Sequence, residues 1–110
     1  MRSMFSACSA LTSLDVTNFN TANVTDMGYM FYNCSALTTI FCNDDWKSDV
    51  VRNSPDMFKN CTKLKGAVAY NQTKLDVSMA NPTTGTMKFL LQDRTEMRQT
   101  LQISLMENRL

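Results

Sequence analysis

Met30-Phe31-Tyr32-Asn33-Cys34-Ser35-Ala36-Leu37 is one of three near-copies of a single phrase in a chain of 110 residues. The others are Met4-Phe5-Ser6-Ala7-Cys8-Ser9-Ala10-Leu11 and Met57-Phe58-Lys59-Asn60-Cys61-Thr62-Lys63-Leu64. Their cysteines stand 26 and then 27 residues apart, a spacing typical of arrays of stacked units. Such arrays present surface rather than enclose a pocket, so the spacing points to recognition.

Each phrase runs on into a strand pattern. Leu14 and Val16 alternate with Asp15 after Leu11, giving the L-x-x-L-x-L core of a leucine-rich repeat. Leu37, Ile40 and Cys42 take the same places one unit later, which puts the fourth cysteine at a core position. A polar, turn-forming run follows, interrupted by Phe19 in the first unit and by Trp46, one residue further along, in the second. Val24, Met27, Met30 and Phe31 are spaced three, three and one, which predicts a short helix capped by Thr25 or Asp26. The third unit keeps Leu64, places Ala67 where Leu14 and Ile40 sat, and then dissolves into a loop marked by Pro82 and Gly85. A terminal unit departs from consensus in this way because it covers the core.

The expected fold class is therefore α/β: a leucine-rich-repeat solenoid of short parallel strands and short helices, about three rungs deep, over residues 1–89. Residues 90–110 carry no repeat and form a separate tail. Met97, Leu101 and Leu105 fit one stripe of a helical cap, while Leu101, Ile103 and Leu105 alternate as a strand would.

Composition narrows the function. Eleven basic and ten acidic residues give a net charge of +1, which supplies no electrostatic attraction to nucleic acid or to an anionic membrane. The chain has no histidine, the commonest general base and metal ligand, and its three glycines form no phosphate-binding loop. We expect no enzyme activity, no metal and no cofactor. No apolar run approaches the roughly 20 residues needed to span a bilayer, and Arg2 has no apolar run behind it to make a secretory signal. Cys8, Cys34 and Cys61 are equivalent positions that cannot all pair, so they read as a ladder of buried free thiols. Asp44-Asp45 reads as a solvated loop. The asparagines of the loops, several of them in Asn-x-Ser/Thr sequons, read as side chains bonding nearby backbone.

The string from Leu11 to Phe31, LTSLDVTNFNTANVTDMGYMF, and the later MFKNCTKLKGAVAY resemble the BspA-like leucine-rich repeats of microbial surface proteins, over residues 3 to about 89. YNQTKLDVSMANPTTG looks like the closing segment of such an array. The resemblance implies a secreted or surface-anchored protein that adheres to host or matrix proteins or aggregates cells, with no catalysis and no cofactor.

Outward strand positions are the binding candidates, because they form the face that stacked repeats offer. They are Thr12, Ser13 and Asp15, then Thr38, Thr39 and Phe41, then Lys65, with Phe41 and Trp46 as a neighbouring aromatic pair. The site residues expected to touch a partner are Thr12, Asp15, Thr39, Phe41, Trp46 and Lys65. The expected function is a non-enzymatic protein-binding or adhesion module at the cell surface. Its partner is a host or matrix protein, or a second copy joined through the open ends of the array. The alternative is a spacer or cap of a longer stalk that binds nothing itself.

Overall fold

The computed structural model of the chain describes residues 1–89. The tail reading for residues 90–110, helical or extended, lies outside the described residues. Three short strands, β1 (Ser13–Asp15), β2 (Thr39–Cys42) and β3 (Lys88–Phe89), form one parallel sheet in the order β1-β2-β3. The only other regular element among the described residues is a 3₁₀ helix of three residues, Val77–Met79. This corrects the expected α/β leucine-rich-repeat solenoid with helices: no α-helix forms in the described residues, and the stretch expected to be helical is a ribbon of turns.

The reason lies in where the backbone N–H groups go. In an α-helix every N–H turns back four residues along its own chain. Here alternate N–H groups leave the segment. Those of Met27, Tyr29, Phe31 and Asn33 donate to the carbonyls of Asn53, Pro55, Met57 and Lys59, each at 2.9 Å. The N–H groups between them close tight local turns instead, Met30 to Met27, Tyr32 to Tyr29 and Cys34 to Phe31, at 3.1–3.3 Å. The first repeat bonds to the second in the same way, through Ser3, Phe5 and Ala7. Two residues per repeat adopt left-handed backbone to make this ribbon: Ser3 and Ala7, Tyr29 and Asn33, Asp56 and Asn60. The local sequence does not resist, since Thr25, Asp26, Gly28, Tyr29, Phe31, Tyr32 and Asn33 are all poor helix formers. At one of the left-handed positions the side chains also pair, Asn60 Nδ2 donating to Asn33 Oδ1 at 2.6 Å.

Parallel register carries the same side chains into columns. Ser13 pairs with Thr39, Leu14 with Ile40 and Asp15 with Phe41. The rings of Phe5 and Phe31 stack at 5.8 Å between centroids, and those of Phe31 and Phe58 at 5.3 Å. Cys34 Sγ donates to the Phe5 carbonyl at 3.1 Å and Cys61 Sγ to that of Phe31 at 2.9 Å, so each thiol ties its repeat to the one before. Thr21, fully buried, spends its hydroxyl on the Lys47 carbonyl at 2.7 Å. Asn43 Nδ2 bonds the Thr17 carbonyl, and Asn20, Asn43, Asn71 and Asn81 each accept a backbone N–H two residues on.

The third repeat breaks from the pattern. Lys65 N–H reaches the Thr38 carbonyl at 3.0 Å, as Thr38 N–H reaches Thr12, but the chain then leaves the sheet. Ala67, expected to point into the core, is exposed. Residues 66–86 form an excursion that lays Met79 and Ala80 on the core and receives the Trp46 Nε1–H on the Ala80 carbonyl at 3.0 Å. The strand beside β2 is then supplied by Lys88–Phe89, with Lys88 opposite Phe41. Gly66 makes room for this return: a Cβ there would lie 2.3 Å from the Thr86 carbonyl carbon and 2.4 Å from the Met87 nitrogen.

Two stability predictions follow from the columns and the excursion. Phe31→Ala removes the middle ring of the stack and should lower the unfolding free energy by about 3–5 kcal/mol in urea titrations, against about half that for the half-buried Phe5→Ala. Gly66→Ala should lower the thermal midpoint and raise amide exchange at Lys88 and Phe89 while leaving Leu14 and Ile40 protected, because the clash falls on Thr86 and Met87, which lead directly into β3.

Candidate protein-binding face

One side of the sheet is solvent-facing, and its composition follows from the period-2 alternation of strands. Ser13 and Asp15 are exposed on β1 on either side of the inward Leu14. Thr39 and Phe41 are half-buried on β2, alternating with fully buried Ile40 and Cys42. Lys88 is exposed on β3 while Phe89 turns in. The register sets Asp15, Phe41 and Lys88 in one line across the three strands: an acid, an aromatic ring and a base. The Asp15 carboxylate accepts both the N–H of Thr17, at 2.9 Å, and its hydroxyl, at 2.6 Å, which fixes its direction at the strand end.

The structure brings together Asp15, Thr39 and Phe41, with Thr12 and Lys65 at the strand entrances. Thr12 is exposed and its carbonyl accepts the Thr38 N–H and hydroxyl, at 2.8 and 2.9 Å. Lys65 is exposed where the third repeat turns away. Trp46 is not on this face. It sits in the core at 7% exposure with its indole N–H committed to Ala80, so it supports the loop rather than meeting a partner. Lys88 is the residue that sequence reasoning missed. Its signal was the alternation in Met87-Lys88-Phe89, buried, exposed and half-buried, hidden because a third strand was sought at residues 64–70.

A second cluster was also missed, on the turn side. Arg2 Nη1 lies 3.2 Å from Asp26 Oδ2, and its guanidinium covers the Tyr29 ring at 5.0 Å. Tyr29 meets Tyr32 edge-on at 5.7 Å. The Gly28 N–H on Asp26 Oδ1, followed by the Arg2 guanidinium, holds the Asp26 carboxyl below its ordinary value. Tyr29, immediately ahead of the repeated phrase, and Tyr32 within it, three residues apart, were the available sign.

The thiols serve the core. All four cysteines are free. Burial pushes the Cys61 thiol up to about 12 and that of Cys42 to about 11, and it raises Cys34 as well. Thiols held in this state are poor nucleophiles and poor metal ligands. Among the described residues no group of three or more His, Cys, Asp or Glu is placed to hold a metal ion, and no helix is long and apolar enough to cross a membrane.

Comparison with known proteins adds one match. A family model described as "Mycoplasma protein of unknown function, DUF285" matches residues 1–94. No curated protein and no solved structure matches the chain.

The thiol environments make two measurable predictions. In the native protein a disulfide-exchange reagent should titrate Cys8, which is half-buried, and reach Cys34, Cys42 and Cys61 only after unfolding. The raised thiols favour the folded state fully below the ordinary thiol value of 9.0. That stabilisation should decline as pH rises from there towards about 12, where Cys61 ionises in the folded protein. Urea midpoints measured from pH 8 upward should fall over this window, and less steeply in Cys61→Ala relative to its own value at pH 8.

Proposed function

The chain belongs to the DUF285 family, and from that premise we propose that it is a non-enzymatic binding module whose sheet face recognises a protein. The family description carries no function, so the reading rests on the face itself. Its carrying observation is the in-register line of Asp15, Phe41 and Lys88. A half-buried aromatic ring between two charged side chains, ringed by Thr12, Ser13 and Thr39, has the make-up of an interface centre with a polar rim. Phe41 supplies apolar area on a rigid strand, where little side-chain freedom is lost on binding.

The finer assignment, to BspA-like surface proteins, belongs with this reading. It is supported by the strings quoted from Leu11 to Phe31 and from Tyr70 to Gly85, and it puts the module at the cell surface or outside the cell.

A photo-crosslinking side chain placed at Thr39, on the sheet face, should form protein adducts in the producing cell, and Phe41→Ala should reduce them at least several-fold. The same probe at Lys59, exposed on the turn side, should form few. Equal labelling from both positions, or none from Thr39, overturns the binding face in favour of a spacer that binds nothing.

A further inference from the structure

We propose that the sheet face recognises a second copy of this chain, the two related by a two-fold axis that runs along the strands over Phe41. This inference rests on the sheet face being a protein-binding surface and goes on to name what it binds.

The argument is charge complementarity. Residues 1–53 hold five aspartates against three basic side chains, whereas residues 54–89 hold five lysines against two aspartates. Charge therefore changes sign along the direction in which the repeats follow one another. The exposed face carries the same polarity in miniature, from Asp15 on β1 through Phe41 to Lys88 on β3. A half-turn about an axis parallel to the strands reverses that direction and leaves the strands aligned, as in sheet-on-sheet packing. Phe41 then meets Phe41 of the second copy at the centre. Asp15 of each copy meets Lys88 of the other on either side. Strand spacing of about 4.8 Å and a face-to-face gap of about 10 Å put each lysine within reach of the opposite carboxylate. The contact needs the charge of Asp15 in its Thr17-fixed position and leaves those two hydrogen bonds intact. Self-complementarity of this kind is the requirement of a closed two-fold interface, in which every pair occurs twice.

The face is three short strands wide, far less than the roughly 800 Å² per partner of a stable complex. The dimer is accordingly weak and salt-sensitive, with a dissociation constant on the order of 100 μM at low ionic strength.

Sedimentation equilibrium of the full chain, from about 10 μM to about 1 mM, tests it. The wild type should dimerise, and Phe41→Ala should weaken the dimer. Asp15→Lys and Lys88→Asp, each alone, should weaken it about tenfold, because each reversal creates two like-charge contacts. An equimolar mixture of these two variants should recover the wild-type affinity, because both contacts in the mixed dimer are then opposite in sign. Where Asp15→Lys lowers the thermal midpoint, Asp15→Asn keeps the acceptor for Thr17 and should still weaken the dimer several-fold. A monomer at about 1 mM in low salt, or single reversals that the mixture does not rescue, overturns the proposal. Photo-adducts from Thr39 with other proteins, in a chain that stays monomeric, keep the binding face and overturn self-pairing alone. Absence of any adduct overturns both.

Discussion

Everything in this architecture depends on alternate backbone N–H groups leaving their own turn for the neighbouring repeat. The cross-repeat bonds of the second repeat are 2.9 Å long, shorter than the local turn bonds beside them. Because donors and acceptors must meet residue for residue, the bonding fixes a register of 26 or 27 residues, and the register in turn aligns identical side chains. Phenylalanine stacks on phenylalanine and asparagine bonds asparagine. The left-handed residues that make the ribbon carry a conformational penalty of about 1–2 kcal/mol each. They persist because the cross-repeat bonds and the ring stack hold them in place.

Cysteine has a specific part in this scheme. The thiol is small enough to lie in the column and can still donate weakly to a carbonyl that has already accepted its own repeat's N–H. The Phe31 carbonyl takes both the Cys34 N–H and the Cys61 Sγ. Alanine would leave the sulfur's volume empty and lose the second bond, and serine would bring a hydroxyl with a larger desolvation penalty.

The sequence made some of this legible and concealed the rest for physical reasons. Position-by-position equivalence was readable, because recurrence of Met-Phe-x-x-Cys leaves few ways to align the repeats. Ile40 and Cys42, assigned inward, are fully buried. The helix was misread because a stripe at Val24, Met27, Met30 and Phe31 suits an α-helix and a ribbon of three-residue turns alike. Only the destination of the N–H groups separates them, and that is a property of the neighbouring repeat. The third strand was illegible because Lys88 stands 47 residues beyond its partner Phe41, with nothing in residues 66–86 to announce the return. On the candidate face, Asp15, Thr39 and Phe41 follow from alternation, while Lys88 needed the excursion to be known and Trp46 needed its Ala80 bond.

The excursion also sets an order of assembly. β1 and β2 are joined by a short, repetitive span, so their pairing closes a modest loop and recruits the ring stack at once. β3 arrives only after the chain has travelled outward from Lys65 and come back, a longer closure with two residues of strand to hold it. The sheet therefore has a firm early edge and a late, lightly latched one, and the late edge is the first to lift in native-state fluctuations. Lys88 sits on that latch, so anything that grips its side chain from outside also tightens the last closure of the fold.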